Sequence, residues 1–295
     1  MKKRYIMIPI ILLLLTSLLA FWIKLNSLKE INKQEINVQE YIENVDEVSN
    51  FKVQVNWKYV ASIIAVLNDN KFDNVSKEEI KRISNLFIES DNQKYTSHSL
   101  DDVLNKLDLS DNKQKRVKNY VEDLNGYGLM PTRLNSDGKY MKFINKIKES
   151  AIENYNKYHI LPSITIAQAI LESNWGESEL STKYNNLFGI KANSSWKGKS
   201  ILIETGEFYN QVIMGKFRVY NNNTESISDH AKFLSENTRY KQVFNESTYL
   251  NQAEELQNAG YSTAMDEQGN HTYKKLLVQI IRQYNLQIID SNVSE

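Results

Sequence analysis

Residues 5–23 form a run of 19 residues without a charge, preceded by Lys2, Lys3 and Arg4. A helix of that length spans about 28 Å, close to the thickness of a bilayer's hydrocarbon core. A secretory signal peptide usually has a shorter apolar core and ends in a small-x-small cleavage site. Here the run ends Leu18-Leu19-Ala20-Phe21-Trp22, with no such site and no lipidation cysteine after it. Phe21 and Trp22 suit a membrane interface. The run therefore predicts an uncleaved transmembrane signal anchor. The basic residues before it place the N-terminus in the cytoplasm and the rest of the chain outside.

Elementary counts narrow the chemistry. The 295 residues hold 36 basic and 36 acidic side chains, so no global charge attracts nucleic acid. With no cysteine, a disulfide framework, a thiolate zinc site and a cysteine nucleophile are excluded. The four histidines, His98, His159, His230 and His271, share no metal-ligand spacing. Neither metal nor cofactor is expected, and hydrolysis by this chain would run on carboxylates.

Residues 24–50 are polar with sparse apolar positions (Leu28, Ile31, Val38, Ile42, Val45), read either as an amphipathic stalk helix or as a mobile linker. Over 51–135 four helical stripes follow. They are Trp57/Val60/Ile63/Ile64/Leu67, Ile80/Ile83/Leu86/Phe87 behind a Ser76–Glu79 capping-box signal, Leu100/Val103/Leu104/Leu107 after Ser99, and Val117/Tyr120/Val121/Leu124 before Asn125-Gly126. This is expected to be a small helical domain for spacing or docking. The polar joint 131–138 marks a boundary. Beyond it, over 138–290, helical stripes surround a stretch at 200–220 whose period changes to that of a short β-hairpin. The expectation is an α+β, mainly α chain: a catalytic domain with a small β-hairpin lobe, preceded by a helical domain and a transmembrane helix.

The stretch most informative for chemistry runs from Ala167 to Ser178 and contains Glu172, Trp175 and Gly176. Glu172 falls near the C-terminal end of an apolar helix that Gly176 can terminate. The negative end of the helix dipole and loss of water beside Leu171 and Trp175 both favour the protonated acid. Cleavage of a glycosidic bond needs such a group to protonate the leaving oxygen. Spacing alone does not separate this from a surface glutamate at a helix end.

Five words occur in order: AQAILESNWG at 167–176, NNLFGIK at 185–191, Thr205-x-Glu207, FRVY at 217–220 and GYST at 260–263. On these, the segment 142–286 resembles the glucosaminidase domain of glycoside hydrolase family 73, the bacterial peptidoglycan hydrolases. The resemblance implies a lysozyme-like fold, no metal, and endo-β-N-acetylglucosaminidase action on the β-1,4 bond after N-acetylglucosamine. It also implies Glu172 as general acid, Glu207 as second acidic residue with Glu204 as competitor, and Tyr261 as the family's tyrosine. Ala264-Met265 stands before Asp266 where the family's word has none, which leaves no clear role for Asp266. The second carboxylate either activates water in an inverting reaction or stays remote while the substrate's own 2-acetamido group supplies the nucleophile.

Among nearby residues, Trp175, Tyr184 and Trp196 can stack on sugar rings, and Asn185 and Asn186 can bind sugar amides or backbone. Phe188 reads as core and His230 as structural, whereas Lys197 and Lys199 read as loop lysines. The implied partners are glycan strands, the membrane and a membrane protein, with no nucleic acid. The competing classes are a lytic transglycosylase and a non-catalytic wall-binding scaffold.

Overall fold

A computed structural model describes residues 16, 28–92, 94–206 and 212–293. Apart from Thr16, the expected membrane span at 5–23 lies outside the described residues, as does Glu207. Among the described residues no helix is long and apolar enough to cross a membrane.

The first half is built from α1 (Val38–Ser49), α2 (Trp57–Leu67), α3 (Lys77–Asn85), α4 (Leu100–Lys106) and α5 (Asp111–Asp123). Each start is fixed by a side chain that accepts an otherwise orphaned N–H, or by the first-turn acids. Ser76 Oγ accepts from Glu79 N at 3.1 Å, but the Glu79 carboxylate turns to Asn68 instead of completing a capping box. The full box forms at Ser99 and Asp102. The expected stripes meet in one core around Ile42, Trp57, Ile63, Ile80, Leu104, Val117 and Tyr120.

Two features of this half lie outside the four stripes. Residues 88–97 are not helical: β1 (Ile88–Asp91) pairs antiparallel with β2 (Lys94–Ser97), turning at Asn92, whose φ is +48°. Residues 28–50 contain an amphipathic helix, α1, but do not stand apart as a stalk or linker. Leu28, Ile31, Val38, Ile42 and Val45 are all buried. Tyr120 Oη donates to Leu28 O, Tyr127 Oη to Lys33 O, and Ile31 N to Asp123 Oδ2. Sparse apolar residues suffice because this segment covers a core that the other helices leave open.

The second half holds α6 (Lys139–Tyr158), α7 (Pro162–Ser173), α8 (Glu179–Tyr184), α9 (Asn223–Glu236), α10 (Tyr249–Asn258), α11 (Tyr273–Gln283) and α12 (Gln287–Val293). β3 (Ser200–Gly206) and β4 (Val212–Arg218) pair antiparallel, with Ser200 opposite Arg218. This is the mainly helical α+β arrangement with a small two-stranded lobe. α7 is its axis: nearly every residue from Pro162 to Ile170 is buried, with α6, α10, α11 and α12 packed around it.

The two halves are stitched together through buried polar groups. Asp46 of α1 accepts from Arg282 Nη2 of α11 at 2.8 Å and from Tyr249 Oη of α10 at 2.5 Å. Burial pushes the Asp46 carboxyl up, against the pull of Arg282, Tyr249 and Gln54. Asn285 Nδ2 donates to Tyr127 O at 2.9 Å, and Ile288 of α12 packs on the first core. Inside the second half, the fully buried Asp290 of α12 accepts from Ser163 N at 2.9 Å and from Ser163 Oγ, so its carboxylate sits on the N-terminal turn of α7.

Candidate active site

Pro162 opens α7 at its first turn, where the missing N–H costs nothing, and a run of Ile, Leu and Ala makes the helix a core element. The helix ends just after Glu172. Asn174, Trp175 and Gly176 take φ of +50°, +62° and +75°, three left-handed residues in succession. For Trp175 that conformation is intrinsically costly. Local bonds hold it: Trp175 N donates to Ile170 O, Gly176 N to Ser173 Oγ, and Ser178 N to Ser173 O. Gly176 is required twice, since a Cβ there would lie 2.6 Å from the Phe143 ring.

This sharp exit leaves the Glu172 side chain exposed on one side and walled on the other. The wall is aromatic. Tyr273, buried at the first position of α11, donates its hydroxyl to Glu172 Oε1 at 3.0 Å. Tyr261 stacks on Tyr273 with ring centroids 5.3 Å apart, and its hydroxyl lies 3.3 Å from His230 Nε2. Desolvation by this wall raises the Glu172 carboxyl above the ordinary carboxylate range, with the Tyr273 hydrogen bond pulling the other way. Exposure and desolvation coexist because water reaches the carboxyl from the open side only. Burial keeps the Tyr261 and Tyr273 phenols protonated. It also drives the His230 imidazole down to about 3, so His230 is a neutral core residue stacked on Phe188 at 3.8 Å.

The arrangement offers one carboxyl, its pKa raised by desolvation, at the mouth of a neutral aromatic wall. Among the described residues no group of three His, Asp or Glu can hold a metal ion.

Comparison with known proteins gives the same segment a family. Residues 148–286 match the family model described as mannosyl-glycoprotein endo-beta-N-acetylglucosaminidase. That segment is a glucosaminidase domain. The exo-glucosaminidase LytG of Bacillus subtilis (strain 168) is 42% identical over 156 residues, covering 50% of this chain and 52% of that protein. The peptidoglycan hydrolase FlgJ of Salmonella typhimurium is 37% identical over 127 residues, covering 41% of this chain and 38% of that protein. The chain thus spans about half or less of the length of these curated relatives. Among solved structures, the catalytic domain of the autolysin Auto from Listeria monocytogenes is 37% identical, covering 52% of this chain and 88% of that one, with a TM-score of 0.46.

Within the glucosaminidase domain, Glu172 and Tyr261 come together across Tyr273, as the paragraphs above describe. Other expected site residues are employed elsewhere. Asn186 is buried: its Nδ2 donates to Ile190 O and Arg218 O and its Oδ1 accepts from Ile190 N, so it ties α8 to β4 rather than binding sugar. Asn185 Nδ2 donates to Tyr220 O, at a helix C-cap with φ +52°. Backbone carbonyls at the end of β4 (Arg218 and Tyr220), with Ile190 O, claim both amides. Tyr184, half-buried at the end of α8, meets Tyr220 through its own carbonyl.

Trp175 packs among Tyr140 (4.4 Å), Tyr284 (4.8 Å) and Phe143 (6.2 Å). Its remaining surface lines a cleft of about 230 Å³ with Leu171 and Arg133. Trp196 is half-exposed under the Arg218 guanidinium at 4.5 Å, beside a polar cavity of about 560 Å³ that also contains Asp229 and Lys232. Phe188 is core, as expected.

Glu204 is exposed on the hairpin, opposite Met214. Asp266 accepts from Gln268 N, Asn270 N and Asn270 Nδ2, bonds that lower its carboxyl and make it the brace of an exposed turn. A further cavity of about 510 Å³, lined by Lys58, Lys148 and Asn285, belongs to the joint between the halves and contains none of the proposed catalytic residues.

Two residues of the site were not anticipated. Tyr273 precedes the apolar stripe of its helix and lies 101 positions from Glu172. Gln168, whose Nε2 donates to Tyr273 Oη at 2.9 Å, is one helical turn before Glu172. That i, i+4 spacing on an apolar helix was the available signal.

Proposed function

We propose that this chain is a peptidoglycan N-acetylglucosaminidase with a lysozyme-like catalytic domain, hydrolysing the β-1,4 bond after N-acetylglucosamine with Glu172 as general acid. The carrying observation is the raised carboxyl of Glu172 at the open end of α7, backed by Tyr273. A protonated Glu172 gives its proton to the glycosidic oxygen as the bond breaks, and the leaving sugar departs as an alcohol. In the inverting route water adds at the anomeric carbon and gives its proton to a second carboxylate. In the substrate-assisted route the 2-acetamido oxygen first closes on that carbon, and water then opens the ring, giving its proton back to the Glu172 carboxylate. Glu207 is the proposed second acid and Glu204 the competitor. An inverting role requires a separation of roughly 6.5–9.5 Å from Glu172. Tyr261 then orients the acetamido group or the developing charge, and Trp175 and Trp196 offer ring faces to sugars.

The family is described as endo-acting and the relative LytG is named an exo-enzyme, so interior cleavage is part of the proposal. The basic residues and uncharged run at 2–23 support a membrane anchor with the catalytic domain at the outer face. Tethering there raises the effective concentration of enzyme at nearby strands without changing its affinity.

Mass spectrometry of digested peptidoglycan tests the whole reading. Expected products carry reducing-end N-acetylglucosamine, with mid-length fragments appearing early, and Glu172→Gln abolishes them. Anhydro-muramic acid would establish a lytic transglycosylase instead. Glycan binding without cleavage would establish a scaffold.

A further inference from the structure

Glu172, Gln168 and Tyr273 form a directional chain rather than a mere cluster. Gln168 is fully buried, and its Nε2 can only donate; it meets Tyr273 Oη at 2.9 Å. A phenol has a single proton, and with its oxygen already accepting, that proton points to Glu172 Oε1 at 3.0 Å. Tyr273 itself is immobilised by burial and by the face of Tyr261. Among the described residues, Oε2 of Glu172 has no protein partner.

We propose that Tyr273, oriented by Gln168, is a positioning residue that occupies Oε1 of the general acid, so that the transferable proton resides on Oε2 and faces the glycosidic oxygen. This rests on the reading of Glu172 as the acid and adds what aims it. A carboxylic acid free to rotate presents its proton to the substrate part of the time only. One oxygen held as an acceptor removes that freedom before substrate arrives. The opposite polarity, with Glu172 donating to Tyr273, would sequester the same proton against the wall.

The two polarities differ in sign. When the phenol donates, it favours the ionised carboxylate and holds its pKa down, in line with its opposition to the desolvation. Removing the hydroxyl then raises that pKa, and the alkaline limb of activity moves to higher pH. When the acid donates, removal lowers the limb. Among the described residues the titratable groups facing Glu172 are Tyr273 from α11 and Tyr261 from the loop before it, with His230 of α9 and Tyr240 behind. Burial keeps the three phenols protonated and the imidazole neutral. Among the described residues Glu172 has no ion pair to compete with this assignment.

The test is the pH dependence of kcat and KM for the full chain on purified peptidoglycan, comparing wild type with Tyr273→Phe, Gln168→Leu and Glu172→Gln. In Tyr273→Phe, kcat falls about tenfold at the optimum, KM is unchanged, and the alkaline limb rises by about half to one pH unit. Gln168→Leu keeps the phenol but frees its rotor, giving a smaller fall and a smaller rise; it carries the test if Tyr273→Phe misfolds. A limb that stays in place or moves down in the folded variants overturns the inference. Retained activity in Glu172→Gln overturns instead the reading beneath it, whatever Tyr273→Phe does.

Discussion

The two ends of α7 each carry a carboxylate whose pKa is raised mainly by desolvation, yet the two serve opposite purposes. At the N-terminal end Asp290 is wholly enclosed, raised to about 7, and has both oxygens engaged by Ser163. At the C-terminal end Glu172 is open to solvent, with one oxygen held by Tyr273. The difference lies in what remains free. The enclosed carboxylate is taken up by one orphaned N–H of the helix and the Ser163 hydroxyl, whereas the open one keeps an oxygen without a protein partner among the described residues. A raised carboxyl pKa therefore marks a catalytic group only when geometry leaves one oxygen unclaimed.

Glu172→Gln gives the sharpest contrast. Activity on peptidoglycan is expected to fall about a hundred- to ten-thousand-fold, while Tm measured by calorimetry stays at the wild-type value or slightly above. A large loss of stability would place Glu172 with Asp290 as a structural group.

Next in size is Asp46→Ala, which strips the partner from Arg282 at the far end of the helix that carries Tyr273. Urea unfolding should show a loss of about 3–5 kcal/mol, because a half-buried cation is left uncompensated. A loss below 1 kcal/mol would mean the two halves do not depend on that contact.

Asp290→Asn tests the enclosed end by pH. The folded pKa lies above the unfolded one, so the wild-type contribution is present below about pH 4 and disappears as pH rises to about 7. Relative to the asparagine variant, wild-type stability is expected to decline across that window by up to about 1.4 kcal/mol per pH unit. Parallel stability curves for the two proteins would refute the enclosed-carboxylate assignment.

The smallest effect expected is at the open end. Gly176→Ala should cost about 1–3 kcal/mol through its positive φ and the approach to Phe143, with reduced kcat as the exit after Glu172 shifts. Unchanged unfolding and unchanged turnover would show that the left-handed exit is tolerant.

What could be read from the sequence was local. Helix-end placement of Glu172, termination at Gly176, the Ser76 and Ser99 starts and the hairpin period at 200–220 all depend on neighbours within a turn or a strand. What escaped was set by partners far along the chain. Tyr273 reaches Glu172 across 101 positions, Asp290 reaches Ser163 across 127, and Arg282 reaches Asp46 across 236. Residues 28–50 looked like a spacer because their apolar positions are few, and a sequence does not reveal that a distant core has a gap of that size. Asn185 and Asn186 carried the right groups for sugar, but carbonyls at the end of β4, more than 30 positions on, claimed them first.

The separation between Ser163 and Asp290 has a temporal side. A ribosome that has just placed Ser163 in the first turn of the acid-bearing helix must add 127 more residues before the carboxylate that fastens that turn exists. The half-finished polypeptide carries Glu172 without the helix's anchor and without Tyr273. On the proposed function, glycan cleavage thus waits until nearly all of the described fold has been translated.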